Sequence, residues 1–283
     1  MIYRWCGLVL LFALVPVVTS AEDDASPEKP ADTKPAKKKK KNHIQEKYVA
    51  LIESIPEGVY EGKATLPWRL YAPEGAESGP PLPLVVGLHG AGARGTDNQK
   101  AMNLYRVFFT GENQEKYPAY VLAPQMNRGR SWVKHEKGFK NGPYGQKPPR
   151  EEMEAMLALV DETIQKHNID PSRVYVTGQS MGGFGTWEAL WRRPDLWAAA
   201  VPICGGGDVT TVEKFKDIPI WAWHGSKDPT VPVENSRELI EALKQAGADP
   251  KYSEPDTGHA SWLNAYRDPE VFAWMFQQKR TDK

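Results

Sequence analysis

Ser180, Asp228 and His259 have the residue types and the chain order that acyl transfer requires. A serine hydroxyl is a weak nucleophile at neutral pH. It needs a base within hydrogen-bond reach, and the base needs a carboxylate that fixes its tautomer and stabilises the imidazolium. Ser180 lies in Gly178-Gln179-Ser180-Met181-Gly182, the G-x-S-x-G spacing of a nucleophile elbow. Glycine is needed on both sides because strand and helix pass too close at such a turn for a Cβ. His259 follows Gly258 in a loop from which an imidazole can swing over a serine, and no other histidine follows Asp228. Asp228 sits after a strand and before Pro229, which holds its carboxylate in place. Asp256, beside the base, and Asp208, after an earlier strand, are the alternative acids. The oxyanion formed on attack needs backbone N–H donors. Met181 supplies one, and the small-residue loop after His89 supplies the other, from Ala91.

These residues need a scaffold that brings distant loops to one edge. The elbow strand, Tyr175-Val176-Thr177, runs into a helix from Phe184 to Arg192. Apolar runs at Pro83–Leu88, Ala119–Ala123, Trp197–Cys204 and Ile218–Trp223 read as strands buried on both faces. Trp68–Tyr71 alternates as an early antiparallel strand, and Lys251–Glu254 is a short one. Helices are expected over Asn98–Phe109, Arg150–His167, Val233–Gln245 and Pro269–Gln278, with a turn at Asp170–Arg173. Strands alternating with helices imply a parallel sheet with right-handed crossovers. In such a sheet, function collects at the carboxyl ends of the strands. His89 and His224 also stand there and are read as structural, satisfied by backbone. Trp187, Trp191, Trp221 and Trp223 are read as packing.

The chain resembles the α/β-hydrolase fold and, within it, the secreted "predicted peptidase" and feruloyl-esterase-like carboxylesterases. The resemblance rests on Gly87-Leu88-His89-Gly90-Ala91-Gly92, Ala123-Pro124-Gln125, Asp170 through Gly183, Trp223-His224-Gly225-Ser226-Lys227-Asp228 with Val231-Pro232, and Gly258-His259. It spans roughly residues 68 to 280. It implies a doubly wound, mostly parallel sheet with helices on both faces, a Ser180-His259-Asp228 triad, and hydrolysis through an acyl-enzyme. The implied substrates are feruloyl- or acetyl-type esters on polysaccharides. A serine peptidase with the same triad, or a non-catalytic carbohydrate-binding scaffold, are the alternatives. The chain departs from the pattern in Asp256-Thr257 before Gly258 and in a long basic insertion after Gln125. Substrate contacts are expected from Gln125, Trp132 and Trp262.

Composition bounds the rest. Residues 1–21, with Arg4, an apolar run at Gly7–Val18 and small residues at Thr19-Ser20-Ala21, read as a secretory signal too short to span a bilayer. Export to a secreted or periplasmic location follows. It leaves Cys204 alone in the mature chain, without a partner for an intramolecular disulfide. Residues 22–47, rich in Pro and Lys and carrying the run Lys37–Lys41, lack the apolar residues needed to offset ordering and read as a disordered linker. Residues 48–283 form the catalytic domain. Between Met126 and Pro149, six basic residues stand against one acid, Glu136, with His135 in the same loop. Neither metal-ligand spacing nor a phosphate loop is present, so no cofactor is expected. A lysine run without interleaved aromatics argues against nucleic acid.

Overall fold

The computed structural model describes residues 46–134 and 150–280. The signal-like segment, most of the Lys/Pro-rich linker and His135 to Pro149 lie outside the described residues. The described residues all fall in one compact unit.

Eight strands make one sheet in the order β1-β2-β4-β3-β5-β6-β7-β8. β1 (Glu57–Glu61) and β2 (Thr65–Tyr71) pair antiparallel, and β2 is antiparallel to β4 (Tyr120–Pro124). From β4 onward every pairing is parallel: β3 (Leu82–Leu88), β5 (Ile169–Gln179), β6 (Ala199–Ile203), β7 (Trp221–Trp223) and β8 (Lys251–Ser253). β3, β4, β6, β7 and the second half of β5 are buried on both faces, which their continuous apolar runs require, while β8 at the edge is partly exposed.

Side chains alternate across the sheet and so feed two apolar layers. Leu84, Val86 and Leu88 join Met153, Phe184, Trp187, Leu239 and Leu243 on one face. That face is covered by α4 (Glu151–Lys166), α5 (Met181–Arg192) and α6 (Glu234–Gln245). Val85, Val121 and Tyr175 join Met102, Phe108, Val271 and Phe272 on the other. That face carries α1 at residues 46–54, α2 (Gln99–Leu104) and α8 (Pro269–Gln277), with two short helices, α3 (Gly111–Lys116) and α7 (Trp262–Ala265). Trp221 and Trp223 stack at 5.7 Å within the second layer.

Three expectations are corrected, and one strand is added. The turn at Asp170–Arg173 lies inside β5, where the pairing with β3 breaks register between Leu82 and Leu84. The turn chemistry is present all the same, since the Asp170 carboxylate accepts from Ser172 N–H at 2.9 Å and Arg173 Nε–H at 2.7 Å. The helix from Asn98 ends at Leu104 and continues as a tighter turn at Arg106–Phe108. β1 is an added antiparallel edge strand. Residues 46 and 47, placed in the linker by composition, are helical.

Candidate active site

β5 ends at Gln179 and α5 begins at Met181, so Ser180 alone makes the turn. Its backbone sits at φ 55° and ψ −119°, a conformation that costs a non-glycine residue on the order of 1–3 kcal/mol. The strain is held from both sides. Ser180 N–H donates to Ile203 O at 2.9 Å, and Ser180 O accepts from Phe184 N–H at 3.1 Å. A Cβ on Gly182 would lie 1.6 Å from Leu88 O, and one on Gly178 2.4 Å from Gly182 O. Only glycine lets α5 start directly against the end of β3.

His259 Nε2 lies 2.9 Å from Ser180 Oγ, and His259 Nδ1 lies 2.7 Å from Asp228 Oδ2. Nδ1 faces a carboxylate and therefore carries the proton, which leaves Nε2 free to accept from the serine. The structure thus joins Ser180, His259 and Asp228 in one line of hydrogen bonds. The alternative acids stand elsewhere. Asp208 caps the turn at Val209–Lys214 through Thr210 N–H, and Asp256 is exposed and paired with Lys227 at 2.8 Å.

The Asp228 side chain is fully buried, and burial alone raises its pKa. Hydrogen bonds from His224 and His259, then from the backbone N–H groups of Val231 and Thr230, outweigh that and hold the carboxyl well below the usual carboxylate range. The group is an anion at any pH where His259 could act as a base.

The loop after β3 passes on the other side of Ser180. Ala91 opens a short turn, Ala91–Ala93. A Cβ on Gly90 would stand 3.6 Å from Ser180 Cβ, so the Gly90-Ala91 peptide passes beside the nucleophile. The N–H groups of Ala91 and Met181 find no acceptor among the described residues. His89 braces this loop. Its Nε2 accepts from Met126 N–H at 2.8 Å, so its Nδ1 carries the proton and donates to Gly90 O at 2.6 Å. Fixing that carbonyl fixes the opposite N–H, that of Ala91, because the peptide is planar and trans. Burial pushes the His89 imidazole down to about 4, which keeps it neutral in this role.

Two expected substrate contacts are corrected. Gln125 is wholly buried, accepts from Asn98 N–H at 2.6 Å and donates to Ala93 O at 2.9 Å. Trp132 is also wholly buried; it packs on Gly185 and donates Nε1–H to His89 O at 3.0 Å. Neither offers a face to a ligand, and both support the loop after β3. A polar or aromatic residue after a strand looks the same in sequence whether it points out or in. Trp262 is different: it is partly exposed and stands edge-on to His259, with ring centres 5.6 Å apart. Leu263 beside it is 46% exposed.

Cys204, at the end of β6, brings its sulfur within 4.8 Å of ligand atoms on Asp228 and His259. Burial pushes its thiol up to about 12, so the sulfur carries its proton beside the Asp228 and His259 pair. The facing atoms of Asp228 and His259 are occupied by each other.

Known proteins with similar sequences and structures fall in the same class. A profile of the prolyl oligopeptidase family (Peptidase_S9) matches residues 134–224, which contain Ser180. Poly(3-hydroxyalkanoate) depolymerase C of Paucimonas lemoignei is 32% identical over 189 residues, 56% of this chain and 44% of that protein. The bifunctional acetylxylan esterase/xylanase XynS20E of Neocallimastix patriciarum is 29% identical over 111 residues, 36% of this chain and 16% of that protein. The solved structure of a thermostable esterase superposes with a TM-score of 0.75 at 38% identity, over 82% of this chain and 64% of the other. The chain therefore spans less than half of the depolymerase and about two thirds of the esterase. Sheet order, elbow and these similarities together define the α/β-hydrolase fold.

Proposed function

We propose that the protein is an exported serine carboxylesterase that removes acyl groups, of the feruloyl or acetyl kind, from polysaccharides. One observation carries the reaction type: the line Ser180 Oγ to His259 Nε2 to Asp228 Oδ2, at 2.9 and 2.7 Å, beside two N–H groups that have no acceptor among the described residues. In the first half-reaction Ser180 Oγ attacks the ester carbonyl carbon while its proton passes to His259 Nε2. The carbonyl oxygen becomes an oxyanion, held by the N–H groups of Ala91 and Met181. The C–O bond to the alcohol then breaks, and the proton on Nε2 goes to the leaving oxygen. In the second half-reaction water gives a proton to the same nitrogen and attacks the acyl carbon; the bond from that carbon to Ser180 Oγ then breaks, and the proton on Nε2 returns to Oγ. The acid and free Ser180 are the products. Asp228 stays ionised throughout and stabilises the imidazolium.

The substrate class is supported by the wall beside the base. Trp262 and the exposed Leu263 offer an aromatic and an aliphatic surface to an acyl group or a sugar. The acetylxylan esterase activity in the name of one relative points the same way. Export is supported by residues 1–21 of the sequence. A peptidase acting through the same triad is the second reading, favoured by the prolyl oligopeptidase match.

Rates on p-nitrophenyl acetate, methyl ferulate and aminoacyl anilides test the proposal. The esters are expected to turn over faster than the anilides, and Ser180→Ala is expected to lose at least a thousandfold in kcat. Faster anilide cleavage would favour the peptidase. Equal turnover by wild type and Ser180→Ala would refute the mechanism, and no Ser180-dependent turnover of either class would leave the non-catalytic scaffold.

A further inference from the structure

His224 follows β7, four residues before Asp228, and is wholly buried. Its Nδ1 lies 2.7 Å from Ser236 Oγ on α6. Its Nε2 lies 3.1 Å from Val231 O and 3.3 Å from Asp228 Oδ2. Both neighbours of Nε2 are acceptors, so that nitrogen carries the proton. The Ser236 hydroxyl, which can donate or accept, gives Nδ1 a partner as well.

The consequence falls on Asp228. A carboxylate has about four lone-pair sites; here three hydrogen bonds and one N–H shared with Val231 O meet them. Thr230 N–H at 2.8 Å and Val231 N–H at 3.0 Å reach Oδ1; His259 Nδ1–H at 2.7 Å and His224 Nε2–H at 3.3 Å reach Oδ2. A proton arriving on Asp228 would have to displace one of them. The turn that makes this possible is tight, because a Cβ on Gly225 would lie 2.2 Å from Gly258 O.

We propose that His224 is a positioning residue of the active site: its Nε2–H, anchored through Ser236 to α6, holds the Asp228 carboxylate in line with His259 and keeps it from taking the proton. The hydrogen-bonded line therefore runs from α6 to the nucleophile, through Ser236, His224, Asp228, His259 and Ser180. This rests on the triad assigned above.

Other charged groups near this line are already committed. Glu254, which faces His224, is bound by Arg237 at 2.6 and 2.9 Å and by the Tyr252 hydroxyl at 2.7 Å. Lys227 and Asp256 pair with each other, and the Cys204 thiol is neutral. Among the described residues, His224 and His259 are the two side chains that reach Oδ2.

Removing the His224 donor has a defined sign. The carboxylate loses a hydrogen bond to its charged form, so its own pKa rises. Its uncompensated charge also stabilises the His259 imidazolium more strongly. The second effect moves the acid limb of activity to higher pH. His224→Leu, His224→Gln and Ser236→Ala test this, read by the pH profile of kcat/KM and by the NMR titration of His259, including its downfield Nδ1 proton. In His224→Leu the acid limb and the His259 titration are expected to rise by about one pH unit, with kcat/KM about tenfold lower at pH 7. Glutamine carries a donor at the position of Nε2 and is expected to restore most of the profile. Ser236→Ala is expected to move it part of the way. An unmoved His259 titration in His224→Leu, or a glutamine variant no better than the leucine one, would overturn the proposal. If His224→Leu does not fold, the glutamine and Ser236→Ala titrations decide: wild-type behaviour in Ser236→Ala would overturn it. The NMR titration needs no turnover, so it judges His224 even if the wild type proves not to be an esterase.

Discussion

At the scale of single residues, the site depends on protons kept where they are useful. His259 must be free to gain one, Asp228 must not, and His89 must stay neutral to hold Gly90 O. His89 has a consequence for stability. Its folded pKa is pushed down to about 4 by burial, from an ordinary value of 6.5. Between those values the unfolded chain binds a proton that the folded chain refuses. The stability this group confers is thus complete above pH 6.5 and is lost as pH falls toward 4, on the order of 3 kcal/mol in all. Urea unfolding at pH 7 and pH 4.5 should show the wild type losing stability. His89→Gln, which keeps a polar side chain without a titrating ring, should lose less, and an equal loss in both would contradict this role. Ser180, Asp228 and His259 were legible as candidates because their chemistry requires those residue types in that order. The roles of Gln125 and Trp132 were not legible. Both follow strand ends, where a side chain points to the cleft or under a loop according to backbone direction, which residue type does not encode.

At the scale of elements, the elbow works because three segments touch through backbone alone. The end of β3, the start of α5 and the end of β6 meet at Gly182, Gly183 and Gly205. Gly182→Ala puts a methyl group 1.6 Å from Leu88 O, and neither backbone can move without shifting Ser180 or Ala91. The expected cost is about 3 kcal/mol with loss of activity. Gly92, with nothing within 4 Å of an added Cβ, is the control, and Gly92→Ala should leave Tm nearly unchanged. A Gly182→Ala protein as stable as wild type would show that the elbow is looser than described. The parallel strands and the larger helices were legible from continuous apolar runs and helical periodicity. β1 was not, because Glu57-Gly58-Val59-Tyr60-Glu61 is short, exposed and charged at both ends, as an edge strand must be to avoid pairing with other chains.

At the scale of the whole molecule, the sheet order brings loops from four strand ends to one place. β3 delivers His89 and Ala91, β5 delivers Ser180, β7 delivers His224 and Asp228, and the segment after β8 delivers His259. The sheet therefore does at long range what the elbow does locally: it fixes distances between groups far apart in sequence. Positive and negative side chains balance at 36 each, so net charge names no substrate class. Selection must come from side chains around the mouth, among them Trp262 and Leu263. No helix among the described residues is long and apolar enough to cross a membrane. The central claim, that Ser180 is a nucleophile activated by His259, is tested most directly by covalent trapping. The protein is treated with a fluorophosphonate at neutral pH, and intact mass and peptide mapping locate the adduct. We predict one adduct per chain, on Ser180, formed much more slowly in His259→Ala and absent in Ser180→Ala. An unlabelled wild type, or an adduct that survives Ser180→Ala at the same rate, would contradict the claim.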